Sequence, residues 1–233
     1  MSTSTTIPSR RQRLRVQTLA EARDHAYAQI ASGGPAALSL NGIAKAMGMS
    51  GPALYRYFAS RDELMSTLVT ESYEDLADTV DAAAEQARSR SPEQRLRAAL
   101  DAVRDWALKA PHRYRLVFGS TYGSGELDPE RIIPAAQRPM SVVLAALAEI
   151  DAGPGQRTVT DPVLRRQLEK WSENTNEARH EPSLLLLGVT AWTRMHGIIS
   201  LEIEDIFDQM GIEPGRLYEA EIVQLIAQRR GRR

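Results

Sequence analysis

The chain of 233 residues contains no cysteine. Disulfides and thiolate metal sites are therefore excluded, which fits a reducing compartment. Its four histidines are scattered, and none pairs with another at the spacing of a metal site. No apolar run follows Met1 as in a signal peptide, and the apolar run at 183–189 is too short to cross a bilayer. We expect a cytoplasmic protein that contacts no membrane and holds no metal or other cofactor.

Phosphate-binding and catalytic signatures are also missing. Gly119, Gly123 and Gly125 lie in a glycine-rich stretch, but neither a strand before them nor a Lys-Ser/Thr pair after them completes a phosphate loop. Aspartates and glutamates are numerous, yet no pair of them stands out on an apolar face. The sequence therefore indicates a protein that is not an enzyme.

Charge is distributed unevenly along the chain, although the net charge is only −1. Residues 1–62 contain eight Lys/Arg and three Asp/Glu, whereas the remaining residues contain 21 and 27. A basic head joined to an acidic body is typical of a nucleic-acid-binding module attached to a part that does not contact nucleic acid. We interpret the arginines at the C-terminus, from Arg229 onward, as a solvated end.

Helical periodicity runs through the chain without a convincing strand pattern, which predicts an all-α protein of nine or ten helices. The predicted long helices cover about 10–32, 61–87 and 182–210, with Pro134 and Pro139 bending or interrupting another near 129–150. We expect a disordered N-terminus at 1–9, a helix-turn-helix DNA-binding domain at 10–60, a helical ligand-binding and dimerisation domain at 61–228, and a basic tail at 229–233.

The stretch from Leu40 to Phe58 predicts two short helices joined by a glycine turn. Ile43, Ala44 and Met47 place one face of the first helix inward. Gly48 stands where the chain must turn with positive φ, and Ser50 can cap the next helix, whose first turn tolerates a proline. This layout is that of a helix-turn-helix, whose second helix enters the major groove.

Several side chains around this turn are candidates for DNA contact, whereas Phe58 is expected to fill the core. A tyrosine phenol can donate to a phosphate oxygen while its ring packs on the sugar, although core packing is the alternative for both tyrosines here. Two residues stand at helix starts, where N–H groups and the dipole favour an anion. The predicted DNA-binding residues are Ser39, Lys45, Ser50, Gly51, Pro52, Ala53, Tyr55, Arg56, Tyr57 and Arg61.

The motif from Ser39 to Leu64 resembles the DNA-binding signature of the TetR family of bacterial transcriptional regulators, with Leu-Tyr-Arg-Tyr-Phe followed by Ser-Arg-Asp-Glu-Leu. The resemblance implies a homodimer that binds an operator, a third helix that reads DNA, and a fourth helix that leads into a ligand-binding body. It maps Ser39, Tyr55, Tyr57 and Arg61 onto phosphate-contacting positions. The family often has a lysine where this chain has Gly51.

The second half of the chain resembles the Trp…His-Gly subgroup of that family, through Trp192, His196 and Gly197. Trp192 and His196 are four residues apart and should stack on one helix face, while Gly197 would admit a close helix. His196 is either part of a pocket wall or a packed core residue.

Aromatic and soft side chains in this half suggest a pocket for an apolar or aromatic small molecule, although the same residues also build ordinary cores. Arg113, Arg115 and Arg194 could pair with an acid group on that molecule. The predicted pocket residues are Trp106, Tyr114, Phe118, Tyr122, Met140, Trp171, Trp192, Met195 and His196.

Two helices near the C-terminus show more apolar surface than one chain can be expected to cover, which predicts a two-fold dimer. The predicted interface residues are Leu184, Leu187, Ala191, Ile198, Leu201, Tyr218, Ile222, Leu225 and Ile226. We expect a repressor that binds an inverted repeat in double-stranded DNA and is released by a small-molecule effector. The alternative is a regulator whose body senses a protein partner or no small molecule.

Overall fold

The computed structural model describes residues 9–119, 129–152, 158–174 and 180–231. These residues form helices and connecting turns, and no β-strand occurs among them, which confirms the predicted all-α fold. Tyr122 and the tail beyond residue 231 lie outside the described residues, as do the predicted disordered residues 1–8.

Eleven α-helices occupy the described ranges. They are α1 Arg10–Gly33, α2 Leu40–Ala46, α3 Gly51–Leu54, α4 Arg61–Gln86, α5 Pro92–Lys109, α6 Pro111–Phe118, α7 Pro129–Glu149, α8 Pro162–Asn174, α9 Pro182–Ile203, α10 Ile206–Met210 and α11 Pro214–Arg229, with a 3₁₀ turn at Pro35–Ala37.

Contacts divide the chain into two units. The first contains residues 1–72 and 112–128, and the second contains residues 73–111 and 129–233. This grouping follows packing alone, so the predicted functional boundary between residues 60 and 61 stays a prediction.

The first unit is built around one face of α1. Ala22, Ala26 and Ile30 recur at helical spacing and are buried. Leu54 and Phe58 are also buried, so Phe58 fills the core position predicted for it. Small residues on α1 allow neighbouring helices to approach, because an alanine adds little bulk beyond the backbone.

A single tyrosine of α1 contacts both α4 and α6 within this unit. The Tyr27 hydroxyl lies 3.0 Å from the Leu68 carbonyl oxygen, to which it donates, and 3.1 Å from the Ser72 hydroxyl. On the ring itself, the Arg113 guanidinium carbon stands 4.3 Å from the centroid. A buried phenol must satisfy its hydroxyl, and this one does so on the α4 backbone.

The second unit is a bundle in which α9 packs against α5, α7, α8, α10 and α11. Gly188 marks a close approach, because a Cβ at this position would lie only 2.6 Å from Leu144 Cδ2 of α7. A side chain there would force the two helices apart. The glycine that admits a close helix is therefore Gly188, which the sequence interpretation did not single out.

Helix α9 is shorter than predicted. It ends at Ile203, and Asp205 adopts a left-handed conformation with φ 55° before α10 begins. The buried Phe207 turns α10 back onto α9. Neither glycine nor proline occurs at this break, so the sequence pattern continued through it.

Helix α7 runs through both of its prolines, so the predicted interruption is wrong. Each proline removes one backbone donor, but the other hydrogen bonds of the helix remain. The predicted solvated end is also wrong for Arg229 and Arg230. Arg229 Nε donates to the Leu147 carbonyl at 2.9 Å, near the C-terminus of α7, and Arg230 pairs with Glu93.

By length and composition, α9 could cross a membrane, with a mean hydropathy of 1.4 over its most apolar window. This is weak evidence, since core helices of soluble proteins meet the same criterion. Leu185, Met195 and Ile199 are almost fully buried within the second unit, as expected of a core helix.

Candidate nucleic-acid interface

The turn between α2 and α3 follows the sequence prediction closely. Ser39 caps α2, with its hydroxyl oxygen accepting from the Gly42 N–H at 3.2 Å. Gly48 has φ 65°, a conformation that side chains rarely adopt. Ser50 is the N-cap of α3, but its side chain makes no capping hydrogen bond. The Ser50 hydroxyl is exposed and therefore accessible to a ligand.

Helix α3 has only four residues, so Tyr55, Arg56 and Tyr57 lie in the turn that follows it and not at its end. Leu54 and Phe58 anchor this segment from below, since both are buried. The predicted DNA-contacting side chains face the other way: Tyr55 is 46% exposed, and Arg56 is also exposed. An apolar base therefore holds a polar and basic outer face.

Pro52 and Lys45 are exposed, whereas Gly51, Ala53 and Tyr57 are half-buried. The Tyr57 ring contacts α1, where the Arg15 guanidinium carbon lies 5.4 Å from the ring centroid. This distance is within the range of a cation–π contact. The ring is thus supported from one side.

Arg61 contacts the protein itself at the point where a phosphate contact was predicted. Its Nε donates to the Leu38 carbonyl at 3.1 Å, and its terminal NH₂ donates to the Pro35 carbonyl at 2.6 Å. Both carbonyls belong to the connection between α1 and α2. Arg61 thereby ties the first residue of α4 to the segment that leads into the helix-turn-helix.

Asn41 is an interface candidate that the sequence interpretation missed. It is exposed in the first turn of α2, and a Cβ at Gly51 would lie 2.8 Å from its Oδ1. The absence of a side chain at position 51 thus leaves room for an amide next to the start of α3. A carboxamide can donate to and accept from an adenine edge. The exposed asparagine two residues after the Ser39 cap was the signal available in the sequence.

The predicted pocket residues do not form one group. Tyr114 and Phe118 belong to the first unit, where their ring centroids are 5.1 Å apart. In the second unit, the Trp106 indole N–H donates to an Asp75 carboxylate oxygen at 2.8 Å, which assigns Trp106 a structural role. Met140 and Trp171 come together in a narrow cleft of about 10 Å³.

Trp192 and His196 stack on α9 as predicted, with ring centroids 4.3 Å apart and planes inclined at 68°. Burial lowers the pKa of His196 to about 4. Met195 is buried in the bundle core. Gly197 is exposed, and a Cβ there would meet no atom within 4 Å in the described part of the chain. The close helix expected at Gly197 is therefore absent within this region.

The arginines that could have paired with an acidic ligand have partners in the protein. Arg113 stacks on Tyr27, and Arg194 of α9 pairs with Glu221 of α11 at 3.3 Å. Arg115 is exposed. Two of the three guanidinium groups therefore serve the packing of helices.

One chain covers most of the predicted dimer interface. Six of the nine side chains are buried within a single chain, namely Leu184, Ala191, Ile198, Tyr218, Ile222 and Leu225. The Tyr218 hydroxyl donates to the Leu100 carbonyl at 2.6 Å. Leu187 and Ile226 are half-buried, and Leu201 is 43% exposed. The premise that one chain cannot cover this surface is wrong for those six.

An open groove of about 630 Å³ runs along the outer side of α9 and α11. We call it the α9–α11 groove. Its lining includes Gly197 and Leu201 of α9, and Leu217, Glu221 and Gln224 of α11. It combines small and apolar side chains with a polar edge.

Comparisons with known proteins agree with this architecture. Residues 23–68 match the model of the bacterial regulatory proteins of the tetR family, and residues 96–225 match the tetracyclin repressor-like C-terminal domain. An HTH-type transcriptional regulator of Mycobacterium tuberculosis is 32% identical over 206 residues, which cover 85% of this chain and 86% of that protein.

Two crystal structures resemble the chain as well. A protein described as regulatory, SCO4313, is 40% identical with a TM-score of 0.75, over 93% of this chain and 98% of that one. The regulator PfmR from Thermus thermophilus, of the same family as the first model, is 18% identical with a TM-score of 0.53, over 92% and 98% of the two chains. The second likeness concerns the fold alone.

His196 should make the stability of the protein depend on pH. Because its folded pKa of about 4 lies below the ordinary value of 6.5, unfolding takes up a proton between these pH values. The contribution of His196 is complete above pH 6.5 and is lost as the pH falls toward 4, at about 1.4 kcal/mol for each pKa unit. Urea unfolding at several pH values should show His196→Gln gaining relative stability under acidic conditions. Parallel pH profiles for the two proteins would contradict the buried neutral imidazole.

Proposed function

Because this chain belongs to the TetR family of bacterial transcriptional regulators and so binds DNA, we propose that it represses a promoter until a small apolar or aromatic molecule binds its second unit. The observation that carries the proposal is the outer face of α3 and the following turn. Exposed Tyr55 and Arg56 stand there above the buried Leu54 and Phe58. The regulator would act in the cytoplasm, where the chromosome is accessible.

The DNA contacts divide into two kinds in this proposal. Phosphates are contacted by Ser39, Lys45, Tyr55 and Tyr57, which fix the position of the unit on the duplex. Bases are contacted from the start of α3, where Ser50, Gly51, Pro52 and Ala53 offer small side chains and backbone. Asn41 and Arg56 supply the longer polar groups that can reach base edges.

The DNA upstream of the gene tests this proposal. A labelled duplex containing an inverted repeat from that region should be retarded by the purified protein, with affinity that falls steeply as salt rises. Replacing both Tyr55 and Tyr57 by phenylalanine removes two phosphate donors and should weaken binding by about tenfold, at about 1 kcal/mol for each lost hydrogen bond. Tyr73→Phe, in α4 outside this face, is the matched control. Failure of the wild-type protein to bind any upstream duplex would contradict the proposal.

We propose that two chains pair through the α9–α11 groove. Gly197 leaves space for a facing helix, and Leu201 presents apolar surface that is still exposed in one chain. A two-fold axis through this groove would place the same residues of both chains opposite each other. Such a dimer would bring two α3 helices to successive major-groove faces, about 34 Å apart.

Leu201→Glu should separate the chains, because it would place a carboxylate in the apolar centre of the contact. We expect the dimer dissociation constant to rise at least about tenfold, measured by sedimentation equilibrium. Val163→Glu is the matched control, since Val163 is 52% exposed on α8 and lies outside the groove. An unchanged dimer in the Leu201 variant would place the interface elsewhere.

The effector is proposed to bind within the second unit, near the aromatic residues of α8 and α9. Trp171 and Met140 already line one cleft, and Trp192 stacks on the neutral imidazole of His196. These groups suit an aromatic or apolar molecule. A protein partner that binds the body instead is the second candidate. The polar rim of the α9–α11 groove, where Gln224 is exposed, favours it over a regulator that senses nothing.

A ligand screen by thermal shift, followed by DNA titration, tests the effector. A molecule that stabilises the protein should lower operator affinity, and complete reversal from bound to free needs about 5.5 kcal/mol of differential binding. Trp192→Ala should remove the thermal shift while leaving DNA affinity without ligand unchanged. A molecule that binds the body without changing operator affinity would count against the switch.

A further inference from the structure

The start of α1 differs from the rest of that helix. Every residue from 10 to 17 is exposed, a stretch of helix about 12 Å long. Four of the eight lysines and arginines in residues 1–62 are concentrated there, as Arg10, Arg11, Arg13 and Arg15. No acidic residue occurs before Glu21. We call these four residues the N-terminal arginine run.

This charge pattern opposes the helix that contains it. The N-terminus of a helix has a partial positive charge, so acidic side chains stabilise its first turn and cations do not, by about 0.3–1 kcal/mol each. The first turn of α1 contains no acidic residue. Arg11 and Arg15 stand four residues apart, where like charges repel. The arrangement becomes favourable when an external anion lies against the helix.

Contact with Tyr57 shows which side of the run faces the DNA-binding turn. The Arg15 guanidinium carbon lies 5.4 Å from the Tyr57 ring centroid. Arg11 stands one turn earlier on the same side of α1, whereas Arg10 and Arg13 lie on a different side at helical spacing. The run therefore has one face directed toward the predicted phosphate contacts and another directed away from them.

We propose that the face of α1 formed by Arg11 and Arg15 is a second phosphate-binding surface, which holds the DNA backbone beside the segment contacted by α3. The proposal rests on the DNA-binding function and adds a partner surface to it. Two guanidinium groups one helical turn apart can each neutralise a phosphate. Contacts of this kind read no sequence but add affinity that depends strongly on salt.

The test compares two double variants of equal charge. Arg11→Gln with Arg15→Gln removes the face directed at the DNA, and Arg10→Gln with Arg13→Gln removes the same charge from the other side. Glutamine keeps a helix propensity close to that of arginine, and circular dichroism checks the helix content. Binding to a labelled duplex with the upstream inverted repeat is measured by fluorescence anisotropy over a series of salt concentrations.

The slope of log affinity against log salt should fall in magnitude by about 1.8 for the Arg11 and Arg15 variant, at about 0.9 for each lost phosphate contact. The Arg10 and Arg13 variant should change it by less than about half as much. Lysine at both positions 11 and 15 should restore the wild-type slope, because the slope counts neutralised phosphates.

Equal losses in the two glutamine variants would show a general field effect and would overturn the inference, as would an unchanged slope in both or a lysine pair that fails to restore it. These results leave the proposed function intact, since the wild-type protein still binds the duplex. Absence of binding by the wild-type protein would instead overturn the proposed function, and this inference with it.

Discussion

The first unit depends on the buried phenol of Tyr27. Its hydroxyl donates to the backbone of α4 at Leu68, while its ring supports Arg113 of α6. The neighbouring Ser72 hydroxyl also donates to Leu68, so one carbonyl oxygen receives two buried donors. Helix α1 thereby packs in a fixed register against α4, and the helix-turn-helix is built on that support. A buried polar group of this kind specifies one arrangement of helices, because sliding either helix would leave the hydroxyl without its acceptors.

Local features of the fold could be predicted from the sequence, because their causes lie within a few residues. The Ser39 cap needs only the N–H of Gly42, and the turn at Gly48 needs only the absence of a Cβ. Contacts between distant residues could not be predicted in this way. Arg61 binds carbonyls 23 and 26 residues before it, and Asn41 lies over Gly51 only once the turn has formed. Both facts change the interpretation of the DNA-binding face.

Helix α9 shows a second limit of sequence patterns. Apolar periodicity indicates that a face is covered but does not show which chain covers it. Ala191 and Ile198 are covered by helices of the same chain, whereas Leu201, close by on the same helix, is left partly exposed. The break at Asp205 escaped prediction for a related reason. No glycine or proline occurs there, and the packing of Phe207 outweighs the local preference to continue the helix.

Arg61 is the first residue of α4, and its guanidinium group holds the carbonyls of Pro35 and Leu38 directly before α2. A rotation of the start of α4 must therefore pull the α1–α2 connection along with it or break two hydrogen bonds. The short tether converts a movement of one long helix into a displacement of the reading head, with no flexible linker to absorb it. A lysine at this position could reach only one carbonyl squarely and would leave slack in the linkage.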